Sequence, residues 1–255
     1  MNRSPKMIEL KTDREIQIIR ENGSILARTL RLVQQNLHPG IRTTELNRLA
    51  EDFIKRQGAY PAFKGYRDFP ASICVSVNEE VVHGIPGERI IKEGQIVSVD
   101  VGVFKDGYYA DAARTFAVGE VSELARRLML VTSRALDESL AYVSEGRHLS
   151  DLSHAIQTLV EQNGFSVVRD LVGHGIGKRM HEEPQIPNFG PPGQGVVLKK
   201  GMVLAIEPMV NAGSYEIDTR DDRWTVVTRD GSLSAHFEHT VAVTENGAQV
   251  LTSET

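Results

Sequence analysis

The stretch Gly40-Ile41-Arg42-Thr43-Thr44-Glu45-Leu46-Asn47-Arg48-Leu49-Ala50-Glu51-Asp52-Phe53-Ile54-Lys55-Arg56-Gln57-Gly58 returns later in the chain with other residues and the same pattern. The second copy is Gly146-Arg147-His148-Leu149-Ser150-Asp151-Leu152-Ser153-His154-Ala155-Ile156-Gln157-Thr158-Leu159-Val160-Glu161-Gln162-Asn163-Gly164, displaced by 106 residues. Leu46, Leu49, Ala50, Phe53 and Ile54 fall on one face of a helix, and so do Leu152, Ala155, Ile156, Leu159 and Val160. A glycine precedes and ends each run, and Thr44 and Ser150 offer capping hydroxyls.

Each run follows a longer helical pattern. The first opens with the capping box Thr12-Asp13-Arg14-Glu15 and carries Ile16, Ile19, Gly23, Leu26, Leu30, Val33 and Leu37 on one face. The second carries Leu124, Leu128, Val131, Ala135 and Val143. Strand-like runs follow each pair: Ile73–Asn78, Ile96–Phe104 and Tyr108–Val118, then Val203–Val210, Trp224–Thr228 and Phe237–Thr244. The order predicts an α+β fold, with sheets meeting in the middle and helices packed outside. One catalytic domain over 1–255 is expected, built of two similar halves, about 12–118 and 119–248. A seam between such halves is concave and a natural place for a site.

Composition narrows the class. With 255 residues the chain can bury a large core unaided. A formal net charge of −5 lacks the basic excess of a nucleic-acid binder. The single cysteine, Cys74, cannot form an internal disulfide, which fits a reducing compartment, and a cytoplasmic protein is expected. Met1–Leu10 shows no apolar leader core, and no window is apolar enough for a membrane helix. Asn22-Gly23-Ser24 matches a glycosylation sequon but lies inside a helical pattern, which makes it coincidental.

The chemistry gathers on a few segments. Asp100 interrupts the β-branched run Ile96–Val103, Asp106-Gly107 is a hairpin turn signal, and Asp111 follows on the return strand. A loop with an even number of residues would put both acids on one sheet face. Two desolvated carboxylates repel, and a shared proton or a metal relieves them. His174 lies in Gly173-His174-Gly175-Ile176-Gly177, Glu207 ends the run Met202–Pro208, and Glu238 begins another. Singly, each has an ordinary structural explanation. Together they offer four carboxylates and one imidazole, a set suited to divalent transition metals. The glycines lack the dinucleotide fingerprint and are read as close packing around a histidine facing a cleft. His83 and His181 stand beside apolar segments without a spacing that settles their role.

Asp100, Asp111, His174, Glu207 and Glu238, in that order, resemble the metal ligands of methionine aminopeptidases. Gly65-Tyr66, Phe69-Pro70, Ser72–Glu79, His83-Gly84-Ile85-Pro86, His181-Glu182-Glu183-Pro184 and Ser234–Thr240 extend the resemblance over nearly the whole chain. It is to the short, bacterial type I form, without a zinc-finger extension or the type II insertion. It implies the "pita bread" fold of two pseudo-symmetric halves, and two divalent ions of Co, Mn, Fe or Zn. Asp100 would chelate one ion, Asp111 and Glu238 would bridge both, and His174 and Glu207 would bind the other. A bridging water or hydroxide would attack the scissile carbonyl, with Glu207 as proton shuttle. His83 and His181 would contact substrate and stabilise developing charge, and Tyr66, Phe69, Cys74 and Trp224 would wall the methionine pocket. Phe63, Met180 and His236 depart from the commoner residues of the family and put pocket shape at issue. The implied substrates are N-termini of newly made proteins with a small second residue. A monomer is expected, with room for transient ribosome contact and no nucleic-acid substrate or membrane.

Two other readings compete. Prolidases and aminopeptidases P share the fold, usually with an additional amino-terminal domain. Non-catalytic relatives that act by binding lose metal ligands, whereas all five ligand positions are filled here.

Overall fold

Helix α1 (Asp13–Asn36) begins where the capping box places it: Glu15 N–H donates to Thr12 Oγ1, and Thr12 N–H donates to Glu15 Oε2 at 2.8 Å. The computed structural model describes residues 8–253, so the first seven residues of the stretch read above for a leader lie outside it. Ile16, Ile19, Leu26, Leu30 and Val33 of α1 are buried, as their spacing predicts. Gly23 is small for a tertiary reason, since a Cβ there would stand 2.1 Å from the Leu251 carbonyl oxygen. Asn22 is buried and its amide donates to the Lys105 and Tyr108 carbonyls, both at 2.9 Å. The sequon is therefore structural.

Helices α2 (Thr43–Arg56) and α4 (Leu149–Gln162) have bounds displaced by 106 residues. Gly58 and Gly164, just beyond them, both adopt the left-handed conformation, at φ +67° and +79°. Their starts correct the expected caps. Thr44 and Ser150 lie inside the helices, and the flanking residues are Arg42 and His148. Glu45 and Asp151 reach back to the backbone N–H groups of those residues, at 2.8 and 3.2 Å, which satisfies orphan donors without the hydroxyls. Helix α3 (Glu123–Ser139) is capped by Ser122. Leu124, assigned above to its apolar face, is 46% exposed, and Ala125 turns inward instead. Among the described residues no helix is long and apolar enough to cross a membrane.

The helices cover two groups of strands. Val97, Val99, Val101 and Val103 pack with α1 and α2, while Leu204 and Ile206 pack with α3 and α4. In the first group, Ile96–Lys105 is central. Tyr108–Ala117 lies on one side of it, and Ile73–Val77 and Tyr60–Pro61 on the other, all antiparallel. In the second, the order is Gly247–Val250, His239–Thr244, Val203–Ile206, Gly173–Gly175, Glu182–Ile186. The expected strand Val203–Val210 breaks at Glu207-Pro208. Val203–Ile206 belongs to the five-stranded sheet, and Met209–Asn211 pairs elsewhere with Ser234–His236. Pro208 has no N–H to donate, so a ladder cannot run through it. The partner chain breaks at the same level, between Ser234–His236 and His239–Thr244.

The two groups are stitched along the Tyr108–Ala117 strand. Ala113 O accepts Glu238 N–H at 2.9 Å. Thr240 Oγ1 donates to Asp111 O at 2.7 Å and accepts Asp111 N–H at 3.0 Å. Thr115 Oγ1 accepts His236 N–H and donates to His236 O, both at 2.9 Å. Since the Thr115 proton is used there, Ser98 Oγ donates to Thr115 at 2.8 Å. Mixed helices and antiparallel sheets are the α+β class that the sequence predicts.

Candidate active site

The register of one hairpin brings the first two acids together. Lys105 pairs with Tyr108, so the loop is the two residues Asp106-Gly107, both at positive φ (+51° and +83°), as a tight hairpin turn with the right twist requires. The loop is even, and Asp111 falls opposite Gly102, two residues along from Asp100. Asp100 and Asp111 therefore share a face, the one turned away from the helices that bury Val99 and Val101. Cys74 pairs with Asp100 on the neighbouring strand and shares that face too.

Glu207 and Glu238 occupy the paired break in the second sheet, where each strand stops and resumes elsewhere. His174 sits opposite Ala205 on the adjacent strand. Its Nδ1–H donates to the Gly175 carbonyl at 3.0 Å, which turns Nε2 toward Glu207, 3.6 Å from its Oε1. The flanking glycines admit neighbouring backbone. A Cβ at Gly173 would lie 2.4 Å from Ala205 O, and one at Gly175 would lie 2.2 Å from Glu183 O.

One ligand atom each from Asp111, His174 and Glu238 lies within 4.8 Å of the others. Asp100 and Glu207 line the same cavity. Asp100 Oδ1, Asp111 Oδ1 and Glu238 Oε1 are buried without a hydrogen-bond partner. Such atoms are expensive, and the charged forms more so. Burial raises Asp100 to about 6, against the opposing pull of His236, and Glu207 to about 7, against that of His174. Burial and the neighbouring acids push Asp111 and Glu238 well above the carboxylate range. Four acids and an imidazole converge here, and burial makes the charged carboxylates costly unless cations reach them. Oxygen-rich ligands with one nitrogen match divalent transition metals.

A cavity of about 140 Å³ adjoins the acids. Phe63, Tyr66, Phe69, Cys74, Met180 and Trp224 line it, with His83 and His181 beside the acids. Phe69 and Trp224 meet edge to face, with ring centroids 5.0 Å apart. The Cys74 thiol is pushed well up by burial first and then by Asp100, Asp111 and Glu238, so it is a neutral wall and not a nucleophile. His83 is held at φ +59°, a conformation rare outside glycine. Burial first, then His236, lowers it to about 4. His181 stands at the exposed rim, its Nδ1 2.8 Å from Tyr66 Oη and its ring 4.3 Å from that of His174. Burial of its ring, followed by His174, Arg67 and His83, lowers it to about 3. Both rings are neutral at pH 7.

All eleven residues picked out in the sequence border this one cavity. Three more join them. Phe63 fits because Gly102 has no side chain: a Cβ there would stand 2.6 Å from the Phe63 ring. Met180 packs with Phe63, Phe69 and Cys74. Arg67, which sequence reasoning passed over, lies 5.4 Å from the Tyr66 ring centroid and also lines the cavity. Its one local signal is Gly65, ahead of a turn that holds Arg67 and Asp68 at positive φ. His236 lies behind the cavity wall, buried, with Nε2 3.5 Å from Glu207 Oε2. A wider depression of about 1040 Å³ between α3 and α4 carries Arg134, Glu138 and His154, all exposed, and gathers no buried acids.

Comparison with known proteins agrees with the geometry. The model of metallopeptidase family M24 matches residues 17–245. The methionine aminopeptidase of Clostridium perfringens is 54% identical over 246 residues, 96% of this chain and 99% of that protein. Methionine aminopeptidase 1 of Bacillus subtilis is 55% identical over 246 residues, with the same coverage. The solved structure of the methionine aminopeptidase from Thermotoga maritima superposes with a TM-score of 0.96 at 49% identity, covering 97% of this chain and 100% of that one.

Proposed function

Since the chain belongs to metallopeptidase family M24 and is a metalloaminopeptidase, we propose that it removes the first methionine from proteins whose second residue is small. The observation that carries this reading is the set of unpaired acids around His174, set against a small apolar and aromatic cavity. The unpartnered Asp100, Asp111 and Glu238 oxygens fit divalent ions. In this reading Asp100, Asp111, His174, Glu207 and Glu238 would together hold the ions, with ligand atoms of Asp111, His174 and Glu238 all within 4.8 Å of one another. Bound there, such ions supply Lewis acidity and lower the pKa of water.

The remaining work falls to the chain's own groups. Glu207, whose carboxylate lines the cavity, is placed to take a proton and return it to the leaving amine. His83 and His181, both neutral, act as N–H donors to the carbonyl oxygen as charge develops on it. With Tyr66 O–H donating to Nδ1, His181 turns Nε2–H toward the cavity. Phe69, Trp224, Tyr66 and Cys74 receive the methionine side chain, and its thioether gains about 0.3–1.5 kcal/mol from each good sulfur–aromatic contact. About 140 Å³ is small beside ligand sites of roughly 300–1,000 Å³, which suits one terminal side chain and not an extended peptide. The same reading makes the protein a cytoplasmic monomer acting on newly made chains, with room for transient ribosome contact.

The test is a pair of peptide series, X-Ala-Ser and Met-X-Ser, with Mn(II) or Co(II) at one concentration. A methylene-scale misfit is worth about 1–3 kcal/mol, so Met should exceed Leu by roughly 10–200-fold in kcat/KM. Equal cleavage of Leu-Ala-Ser would defeat the substrate assignment. Cleavage of X-Pro peptides alone would favour the prolidase reading.

A further inference from the structure

Three ion pairs tie the segment leading into α1 and the first turn of that helix to the loop that carries Met180 and His181. Arg179 Nη2 lies 3.3 Å from Glu9 Oε1, Lys178 Nζ lies 3.2 Å from Glu15 Oε1, and Lys11 Nζ lies 2.6 Å from Glu182 Oε2. The last pair is sealed, its side chains 2% and 3% exposed. The other oxygen of Glu182 accepts the Arg179 N–H at 3.0 Å and so folds the loop back on itself. Lys11 is itself anchored, since its N–H donates to Gly201 O at 2.7 Å and its ammonium donates to Glu9 O at 3.2 Å. Its stem occupies the space over Gly177, where a Cβ would stand 2.2 Å from Lys11 Cε. The third glycine of Gly173–Gly177 thus makes room for Lys11 and not for the cavity.

A sealed ion pair often adds little stability over an apolar pair of like size, and in some proteins its role is to specify geometry. Here the geometry is that of the two residues preceding Glu182. His181 stacks beside Tyr66 with ring centroids 5.3 Å apart, and Met180 closes the apolar wall with Phe63 and Phe69. We infer that Lys11 is a positioning residue for this reaction: through Glu182 it sets where His181 and Met180 stand, so the segment ahead of α1 belongs to the site's support. The inference rests on the reading of His181 as a substrate contact.

The double variant Lys11→Met/Glu182→Met removes both buried charges together, so neither is left unpaired. Misplacement of a reacting group by about 1 Å costs up to roughly 10²-fold in rate. The variant should therefore lose about 10–100-fold in kcat on Met-Ala-Ser while its bound-metal content is unchanged. Side-chain NMR of the histidines should show the His181 imidazole signals displaced and those of His83 in place. Should the double variant not fold, Gly177→Ala, which pushes Lys11 aside without removing a charge, is read in the same way. A folded variant with wild-type kcat, or with lowered kcat and unmoved His181 signals, overturns the inference. If the wild-type protein does not cleave Met-Ala-Ser, the function reading fails instead, and the imidazole signals alone decide whether the clasp holds His181.

Discussion

Glu80 and Glu238 are about equally hidden, 5% and 2% exposed, and differ in their company. Glu80 Oε1 accepts from Arg89 Nη1 and Arg220 Nη1, both at 2.7 Å, and its Oε2 accepts from Val77 N–H at 2.8 Å. Glu238 Oε1 has no partner, and Asp100 and Asp111 each have an oxygen in the same condition. Withdrawing an ion from water costs several kcal/mol, and a permanent guanidinium offsets much of that at Glu80. The fold thus pairs Glu80 with arginines, whereas Arg67, the arginine lining the cavity, lies over the Tyr66 ring and leaves those carboxyl oxygens without a partner. A resident cation would occupy the space that metal ions and substrate need. Glu80 also joins the strand before His83 to the segment before Trp224, so the paired acid serves as a brace for the unpaired ones.

The contrast predicts opposite responses to the same chemical change. Neutralising an acid of the cavity should cost activity and leave folding intact. Glu207→Gln is expected to lower turnover of Met-Ala-Ser by about 10²–10⁴ through loss of the proton shuttle, with no fall in the melting temperature of metal-free protein. Exhaustive chelation should abolish turnover of the wild type. Full activity after chelation would mean that the unpaired acids serve some purpose other than metal binding.

The next largest effect concerns the neutral donors beside the acids. His83→Ala and His181→Ala should each lose about 10²–10³ in rate and keep native-like melting and metal content. Unfolding of both variants would instead show that these rings hold the structure, as Glu80 does.

Proton binding provides a third distinction. The cavity acids have folded pKa values above their ordinary ones: Asp100 about 6, Glu207 about 7, and Asp111 and Glu238 pushed well above the carboxylate range by burial and the neighbouring acids. A raised carboxyl stabilises the fold below its unfolded pKa, and that contribution is lost as pH rises through the folded pKa. Metal-free protein should therefore lose stability as pH rises above about 6.5, since below that the lowered histidines His83, His181 and His239 oppose the acids and above it they no longer do. Added divalent metal should flatten the profile. A thermal-melt series across that range, with and without metal, checks it. A metal-free profile that is flat or rising would place compensating groups around the acids.

The smallest effect belongs to the paired acid. Glu80→Gln should cost about 1–3 kcal/mol of stability by stranding its donors, equally with and without metal. Metal affinity measured by titration calorimetry should not change. A large change in affinity would mean that the brace and the cavity are one electrostatic unit.

Residues whose meaning depends on near neighbours were legible from the sequence. The Thr12–Glu15 box, the hairpin turn at Asp106-Gly107 and the helix-ending glycines Gly58 and Gly164 follow from local sterics and hydrogen bonding. The shared face of Asp100 and Asp111 was conditional on an even loop, which the Lys105–Tyr108 pairing supplies. Other residues were opaque because their reasons lie far along the chain. Gly23 answers to Leu251, Gly102 to Phe63, and Gly177 to Lys11. The strand expected over Val203–Val210 broke at Pro208 because its two ends pair into different sheets.

The sequence by itself therefore determined the helices, the Ile96–Ala117 hairpin, the α+β class and which acids were candidates for one site. Repeat spacing, side-chain alternation and turn chemistry are properties of adjacent residues, and they survive in the linear string. The tertiary structure alone decided which acids go without a cation, how far burial raises their pKa values, and that Lys11 lies 2.6 Å from a carboxylate 171 residues away. Desolvation and Coulomb interactions depend on distance in space, and separation along the chain leaves that distance open until the sheets meet.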